Sequence, residues 1–504
     1  MSKTVIIGGG IAGLTSGIYA LLSGHEAVVI ESHGTPGGNL TGWERKGCRI
    51  DNCLHWLTGT NPVSDTYGIW KTTGMIDEKG TVASDRLYTY RHGNTELTLW
   101  RDIDLLESDL SAAAPGDKKE IGRFIRDIKA MKAMLGIGGE SNDRKSTAAE
   151  KAKAVPRLLK YYGMNCSDLA NRFASPAIRG FICSILTGEF GALALLSVFA
   201  TFTSGNGDLP HDDSLSVAKK IAERFVLLGG KLVLGTKAAK INVKNGTALS
   251  VTLENGRTVA ADKIIAACDA GVTFGTLVDE KYMPTALKKR YSDKRLIRFS
   301  SCHCAFSCDC RIPFKGDYII RLPQELKEKY KADHMVLREF KRSRGSEKPV
   351  LQAMYFCLED ECRRIITLYG RPREYRNFKH ELRSDIESAV CAAFPQLAGK
   401  LDCIDVWTPA TYKRYTGAET GSYMSFAFTS GVIPSAVPSA VKGVKNLYLA
   451  TQWQTMPGGL PMAANAGVNA IKAIERAEKR GNLKSSVISA FDRARYFSYR
   501  KSPN

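Results

Sequence analysis

The stretch "TVIIGGGIAGLTSGIYALLSGHEAVVIES", residues 4–32, decides the fold. It opens with an apolar strand and runs into a turn that has the pattern G-x-G-x-x-G at Gly8, Gly10 and Gly13. A helix of small and apolar residues follows, and a second apolar strand over 27–30 ends at Glu31. This order of strand, glycine turn, helix, strand and acid predicts a Rossmann-like α/β domain that binds a dinucleotide.

Each residue of the motif has a physical task. Gly8 permits the tight turn, Gly10 lets a pyrophosphate approach the backbone, and Gly13 lets helix and strand pack closely. The helix that begins at Ile11 and Ala12 has about half a positive charge at its N-terminus, which suits phosphates. Glu31 lies about 20 residues on, where an acid accepts hydrogen bonds from the adenosine ribose. We predict cofactor contacts for these residues and for Ser32.

The residues after Glu31 favour FAD over NAD as the dinucleotide. The spacing from Glu31 to Gly37 and Gly38 is typical of flavoproteins, and we add the neighbouring Asn39 to the predicted cofactor site. No second G-x-G-x-x-G of comparable quality occurs, since "GIGGES" at 136–141 lies in a polar stretch that follows no predicted strand. One dinucleotide site argues against an NADPH-driven reductase of the glutathione-reductase type.

Composition indicates a globular protein in a reducing compartment. Of 504 residues, 44% are hydrophobic and 24% charged, with no uninterrupted apolar run of about 18 residues, so no membrane-spanning helix is expected. The N-terminus runs directly into a strand without a signal peptide, and the 13 cysteines are an odd number. Free thiols and a cytoplasmic location, with peripheral membrane association as an extension, are the expectation.

The formal net charge of +20 leaves more than one partner open. Positive charge is densest over 117–160 and after Ile474, while no nucleic-acid-binding motif is present, so we expect no nucleic-acid partner. A solvated basic surface and contact with an anionic membrane surface both fit this charge.

Three separated segments carry a resemblance to a known family. They are 5–38, 212–268 and "LYLATQWQTMPGGLPMAANAG" at 447–467. Together they resemble the phytoene desaturase, carotenoid isomerase and retinol saturase group, which are FAD-dependent relatives of the amine oxidases. The resemblance implies FAD as cofactor and an apolar polyene, retinoid or lipid-like substrate. Because no NAD(P)H-binding module is found, we expect oxygen, a quinone or another protein as external electron partner, and a redox-neutral isomerase stays open.

The resemblance also implies a task for the late glycine turn. In similar flavoproteins this strand and turn complete the flavin site, and the helix behind them directs its N-terminus at the pyrimidine end of the ring. Negative charge that develops there on reduction would be stabilised by the helix. The matching positions are Gln452, Gly459, Leu460, Pro461 and Met462, and a backbone group near Ala238 would contact the adenine. The pair Thr451-Gln452 and Asn39 depart from the usual pattern.

The predicted domains are discontinuous. The FAD-binding domain covers 1–75, 205–275 and 440–480. The inserted substrate domain, 76–204 and 276–439, is predicted to be a mixed sheet with helices, which are densest over 117–200. Strands are expected at "CHCAFSC", "YIIRL" and "VLQAMYFC", and 481–504 form a basic tail.

Few residues stand out as catalytic. His55 in "DNCLHWLTGT" follows the cofactor loops and is either a general acid–base residue or a structural histidine. Trp56 and Trp453 either wall an apolar pocket or pack in the core, and Tyr415 and Tyr423 are weaker candidates. The cysteines of "SSCHCAFSCDC" (300–310) raise zinc as an alternative, but the C-x-C spacing favours buried strand cysteines and no metal site.

Three functions compete. The first is an FAD-dependent desaturase, saturase or isomerase that acts on carbon–carbon double bonds of an apolar substrate. The second is an amine or amino-acid oxidase on the same fold. The third is a lipid-binding escort protein without flavin, such as the Rab GDP-dissociation inhibitors, since fold does not determine function. Direction of reaction and oligomeric state are not readable from the sequence.

Overall fold

The computed structural model describes residues 2–139, 141–340, 348–432 and 436–480. The predicted basic tail, 481–504, lies outside the described residues. In the described part of the chain, no helix has both the length and the apolar composition that a membrane span requires.

A five-stranded parallel sheet forms the first unit, which we call the cofactor sheet. Its strands, in spatial order, are Lys231–Val233, Glu26–Ile30, Lys3–Ile7, Lys263–Ala266 and Leu447–Leu449. Every neighbouring pair is parallel. The strands come from three distant parts of the chain, and each strand lies inside a segment predicted for the FAD-binding domain, whose boundaries stay a prediction.

Helices cover the cofactor sheet. They are Ile11–Leu22, Asp65–Thr73, Ser214–Leu227, the short Ala270–Val272 and Leu460–Arg480. The first of them, Ile11–Leu22, is buried along nearly all its length because the last helix, Leu460–Arg480, packs closely against it. At this crossing a Cβ on Gly467 would lie only 2.6 Å from the carbonyl oxygen of Ala12. Only glycine permits so close an approach.

A three-stranded antiparallel layer lies beside the cofactor sheet. Its strands are Ala238–Lys244, Thr247–Leu253 and Thr258–Ala260, and both neighbouring pairs are antiparallel. Asn245 and Gly246 both have positive φ, 51° and 68°, as an Asn-Gly hairpin turn requires.

The second large sheet has seven strands and is mixed. In spatial order they are Leu401–Trp407, Phe299–Cys308, Val350–Leu358, His334–Phe340, Asp317–Arg321, Arg86–His92 and Thr95–Trp100. Only the pair Asp317–Arg321 and Arg86–His92 is parallel in this sheet as described. Strands are confirmed at the three predicted places, as is the α/β class with a mixed second sheet.

Helices cover this sheet too. They are Ile103–Ala113, Lys118–Met134, Ala148–Leu159, Cys166–Ala170, Pro176–Ile182, Ala192–Thr203, Gln324–Tyr330, Glu359–Tyr369, Pro372–Ala393 and Pro409–Thr416. The helix Thr285–Ser292 packs instead with the cofactor sheet, where Leu287 joins its apolar cluster. The helical character predicted over 117–200 is confirmed. Short strands complete the structure at Gly42–Arg45, Cys48–Asp51, Leu57–Thr58, Thr81–Val82, Ile137–Gly138, Arg144–Lys145 and Gly207–Pro210.

The cysteines of the strand Phe299–Cys308 belong to the core. Cys302, Cys304 and Cys308 lie on one face, as strand alternation predicts, and each is 1% exposed. Burial raises the pKa of the Cys308 thiol to about 12. Within the described ranges, no group of three or more His, Cys, Asp or Glu side chains could hold a metal ion.

Candidate functional site

Both glycine turns lie at the same edge of the cofactor sheet. The strands Lys3–Ile7 and Leu447–Leu449 run parallel, so their carboxyl ends meet at one edge, where ligands bind in open α/β sheets. The first turn follows one of these ends and Gly458-Gly459 follows the other. The late turn therefore shares a site with the N-terminal motif.

The first turn has the geometry that a pyrophosphate needs. Gly8 has a φ of +109°, and a Cβ on Gly13 would lie 1.9 Å from the Gly8 carbonyl oxygen. A Cβ on Gly10 would meet no protein atom nearer than 3.8 Å, so the protein itself leaves space there. The helix N-terminus at Gly10 has no capping side chain and no acid in its first turn. This cradle fits the diphosphate of a dinucleotide.

Glu31 is held against the first turn. Its Oε2 accepts a hydrogen bond from the Gly9 amide at 2.6 Å, and its Oε1 accepts from the His33 amide at 2.8 Å and the Ser32 hydroxyl at 3.1 Å. The Gly37 amide donates to the Gly9 carbonyl at 2.8 Å, which brings the predicted second glycine loop beside the first.

Ala238 lies near this edge as well. It belongs to the same apolar cluster as Ile7 and Ile30, the last residues of the two strands that flank the first turn. The structure thus brings the predicted adenosine-side residues together, while their contacts with the cofactor stay a prediction.

The predicted Asn39 and Gln452 converge on the Tyr423 carbonyl. The Gln452 amide donates to this oxygen at 3.0 Å and the Asn39 amide does so at 3.4 Å. The other end of the Gln452 side chain accepts from the Gly459 amide at 2.8 Å. The residues that depart from the family pattern therefore tie the two glycine loops to the segment around Tyr423, because a side-chain amide both donates and accepts.

The second turn presents an accessible helix N-terminus. Gly458 and Gly459 have φ values of 84° and 88°, and the helix Leu460–Arg480 has no acid in its first turn. Leu460, Pro461 and Met462 are partly exposed. A helix end of this kind stabilises nearby negative charge.

The seven-stranded sheet carries a row of polar side chains that the sequence did not predict as a site. Asp317 and Arg338 are cross-strand neighbours, and Arg338 is a neighbour of Gln352 on the next strand. Arg338 donates to both carboxylate oxygens of Asp317, at 2.5 and 2.6 Å. The side-chain amide nitrogen of Gln352 donates to Nδ1 of His303 at 3.0 Å. Strand alternation puts these residues on one face, but no local motif signals that separate strands align them.

Asp317 is ionised in this row. Burial alone would raise the pKa of its carboxyl group, but the charge and hydrogen bonds of Arg338 outweigh burial and lower the pKa to about 2. The side chains of Asp317 and Arg338 are 5% and 12% exposed. The two form a neutral pair in the interior.

His55 faces this row from the loop behind the hairpin Gly42–Asp51. Its Nδ1 lies 3.7 Å from Oδ2 of Asp317. Although the ring lies deep in the molecule, 36% of the side chain is accessible, so it faces an internal cavity. Burial and the positive charge of Arg338 lower the pKa of His55, against the opposing effect of Asp317. The imidazole is therefore neutral at neutral pH.

His303 has a structural environment. Its ring stacks on Trp407 with centroids 4.6 Å apart, and its Nε2 lies 2.5 Å from the Ser301 hydroxyl and 3.2 Å from the Tyr412 hydroxyl. Burial lowers the pKa of His303 well below its ordinary value. A neutral imidazole in this network orders the sheet face beside His55.

The same sheet face becomes apolar farther along. Met354, Phe356 and Leu358 on the strand Val350–Leu358 are partly exposed, whereas Ala353, Tyr355 and Cys357 between them are buried. Phe356 and Leu358 also line a small opening between this sheet and the segment around Cys183 and Glu189. Met354, Phe356 and Leu358 thus form an apolar wall on the sheet face that also carries the polar row.

The predicted tyrosines Tyr423 and Tyr415 differ in exposure. Tyr423 is partly exposed and lies between Tyr412 and Phe299, with ring centroids 5.3 and 5.9 Å away. Tyr415, by contrast, is 53% exposed and contacts His33.

The tryptophans differ in the same way. Trp453 is 3% exposed and packs on Tyr291 and Phe426 in the core. Trp56 is partly buried against the helical cluster of the second unit.

A match to a known protein family agrees with this geometry. The family described as flavin containing amine oxidoreductase matches residues 11–474. The chain belongs to this family. It is an FAD-dependent oxidoreductase, and the resemblance stated from the sequence is confirmed.

Relatives in this family include carotenoid enzymes. A prolycopene isomerase of Daucus carota is 23% identical over 473 residues, which are 87% of this chain and 73% of that protein. A phytoene desaturase of a Paracoccus species is 22% identical over 301 residues, 58% of this chain and 59% of that one.

Solved structures show the same fold. An oxidoreductase from Methanosarcina mazei has a TM-score of 0.59 and 15% identity, with 94% of this chain and all of that one covered. A cyclohexylamine oxidase from Brevibacterium oxydans has a TM-score of 0.55 and 14% identity over 95% and 99%. At such identities the likeness supports the fold alone.

Proposed function

We propose that this FAD-dependent oxidoreductase acts on carbon–carbon double bonds of an apolar polyene, by desaturation, saturation or isomerisation. The observation that carries this is the sheet face that holds the apolar wall and the polar row. It is apolar at Met354, Phe356 and Leu358, and its charged groups Asp317 and Arg338 neutralise each other. Such a surface suits a long uncharged substrate.

The residues present fit the cofactor. The first turn and Glu31 would hold the adenosine diphosphate portion, and the segment Gln452–Met462 would hold the flavin. FAD, when bound, supplies hydride transfer at its ring. The protein orients the substrate carbons and excludes water from them with the apolar wall.

The amine oxidase alternative rests on the fold. A protonated amine would meet no net charge at the polar row, since Asp317 is paired with Arg338, and His55 and His303 are neutral. The relatives that match across most of this chain act on carotenoids by their names. These points favour the polyene.

We propose an anionic membrane as a partner of the helix Ala148–Leu159. This helix buries only Ala154 and Leu158, while Val155 and Leu159 are 41% and 65% exposed. Lys151 and Lys153 are exposed on the same helix, and the chain carries a net charge of +20. Exposed apolar side chains beside lysines are typical of helices that lie on anionic bilayers.

The function is tested with the purified holoenzyme. An oxidised flavin spectrum that bleaches with dithionite under anaerobic conditions is expected first. Poly-cis-lycopene, phytoene and the amine putrescine are then mixed with the enzyme without oxygen, and the products and the flavin spectrum are followed. Conversion of a polyene supports the proposal. Flavin reduction by putrescine alone would transfer the assignment to amine oxidation.

A further inference from the structure

One loop and two strands bring together an imidazole that borders the cavity and two charged side chains behind it. His55 comes from the loop after the hairpin Gly42–Asp51, and Asp317 and Arg338 come from two neighbouring strands. Nδ1 of His55 is buried and makes no hydrogen bond in the described part of the chain, and the Asp317 carboxylate lies 3.7 Å away. The accessible 36% of the side chain therefore belongs to the rest of the ring, which includes Nε2.

This arrangement resembles a catalytic histidine–carboxylate dyad in which a third side chain holds the carboxylate. The ring presents its free side to the cavity, a carboxylate stands behind the other nitrogen, and a bidentate guanidinium holds that carboxylate in one orientation. In the absence of substrate such contacts are often longer than a hydrogen bond and shorten in the complex. A purely structural histidine, such as His303, has protein partners on both ring nitrogens.

We propose that His55 exchanges a proton with the substrate carbon and that the Asp317–Arg338 pair positions its ring and sets its charge. The proposal rests on the proposed function, because it needs a reaction in which a carbon loses or gains a proton. His55 is then a catalytic residue, and Asp317 and Arg338 are positioning residues.

The proton and electron balance is simple for desaturation. Two hydrogens leave adjacent carbons: bound FAD would supply the acceptor for the one that leaves as a hydride, and Nε2 of His55 accepts the other as a proton. The electron pair of the second C–H bond becomes the new double bond. The imidazolium then returns its proton to solvent, and for saturation each transfer is reversed.

Burial and Arg338 favour the neutral His55 ring, which is the form that accepts a proton, while Asp317 opposes them. Several titratable or charged groups surround this ring. They are Asp317 and Arg338, His303 on the strand Phe299–Cys308, and nearby Cys53 and Tyr423. Burial lowers the pKa of His303, and burial raises the pKa values of Cys53, to about 12, and of Tyr423. Only Asp317 and Arg338 of these groups are therefore charged near neutral pH.

The test uses the two charges, because they act on His55 with opposite sign. Holoenzyme with isotope-labelled histidine is titrated by NMR, and the His55 signal is identified by its loss in His55→Gln. Asp317→Asn removes the charge that raises the pKa of His55, so the titration should move to lower pH. Arg338→Gln removes the charge that lowers it, so the titration should move to higher pH, each by about one pH unit.

An ion pair that does not act on His55 would not give opposite shifts. Unchanged titration, or two shifts of the same direction, would overturn the assignment of the pair. If Arg338→Gln fails to fold, as judged by loss of the flavin spectrum, the double variant Asp317→Asn/Arg338→Gln replaces it. Its His55 should titrate above that of Asp317→Asn, and an equal or lower value would likewise overturn the assignment.

The catalytic part is tested on whichever polyene the wild type converts. His55→Gln should lower kcat by about 100-fold or more with little change in KM. Full activity in His55→Gln would overturn the proton-transfer assignment. If the wild type converts neither polyene, the proposed function fails, while the NMR titration still decides the assignment of the pair.

Discussion

At the residue scale, the glycines of the first turn are required for different reasons. Gly13 is required by the protein itself, since a Cβ there would overlap the Gly8 carbonyl oxygen at 1.9 Å. The protein itself does not require a glycine at position 10, because the nearest protein atom to a Cβ on Gly10 would be 3.8 Å away. The space at Gly10 is explained by a ligand that the backbone must approach.

This difference predicts separate effects on folding and on cofactor binding. Gly10→Val should change the free energy of unfolding of the apoprotein by less than about 0.5 kcal/mol, as for open sites. It should weaken FAD binding by tenfold or more, since the side chain enters the pyrophosphate space. Fluorescence titration with FAD and urea unfolding measure the two effects, with Gly163→Ala as a control in open space. Unaltered FAD affinity would contradict this reading of Gly10.

Asp317 makes stability depend on acid pH. Its folded-state pKa of about 2 lies below the unfolded value of about 4. The pair therefore contributes its full stability above pH 4 and loses it as the pH falls through about 2. The contribution is about 2 kcal/mol. We expect the free energy of unfolding to fall more between pH 5 and pH 3 in the wild type than in Asp317→Asn/Arg338→Gln. The same pH dependence of the free energy of unfolding in the two proteins would contradict this prediction.

At the element scale, two helices and two strands create the site. The helices Ile11–Leu22 and Leu460–Arg480 each start at the carboxyl edge of the cofactor sheet and touch at Gly467. The N-termini of both helices, which carry partial positive charge, therefore face the same space. On the second sheet, the strands Asp317–Arg321 and His334–Phe340 align a carboxylate with a guanidinium. Neither strand has a catalytic site alone.

The helix Ala148–Leu159 gives a prediction of its own. Leu159→Asp should weaken binding to vesicles of phosphatidylcholine and phosphatidylserine by about tenfold or more, because a buried leucine is worth about 2 kcal/mol. Lys151→Glu/Lys153→Glu should weaken it further, at about 1 kcal/mol per lysine. Co-sedimentation measures both.

The matched control for this helix is Leu227→Asp. Leu227 is 86% exposed at the end of another helix, Ser214–Leu227, so its replacement should leave vesicle binding unchanged. Equal binding to phosphatidylcholine alone would count against an anionic membrane, and equal losses in Leu159→Asp and Leu227→Asp would count against this helix.

At the scale of the whole molecule, the cofactor site joins distant parts of the chain. The cofactor sheet takes strands from residues 3 to 449, and the first and last helices meet across it. FAD that binds at this edge stabilises the folded state through mass action. At a free concentration of 100 times Kd, the free energy of unfolding should rise by about 2.7 kcal/mol.

This linkage is measured by thermal unfolding of the apoprotein with increasing FAD, with riboflavin as the matched ligand that lacks the adenosine diphosphate. The midpoint should rise with FAD and much less with riboflavin. A midpoint independent of FAD would mean that the two glycine turns do not form a cofactor site.

The sequence by itself determined the cofactor class and the fold. Gly8, Gly10, Gly13 and Glu31 are close in sequence, and each follows a local conformational rule, so their pattern is readable without a structure. The Asn-Gly turn at 245–246 is readable for the same reason.

Tertiary structure alone decided which distant side chains meet at the polar row. His55, Asp317 and Arg338 are far apart in sequence, and none belongs to a motif that names the other two. The register of two strands pairs the carboxylate with the guanidinium, and packing of a cofactor loop against that sheet brings the imidazole within 3.7 Å. Strand register and packing between units depend on contacts across the entire chain, which a local pattern does not encode.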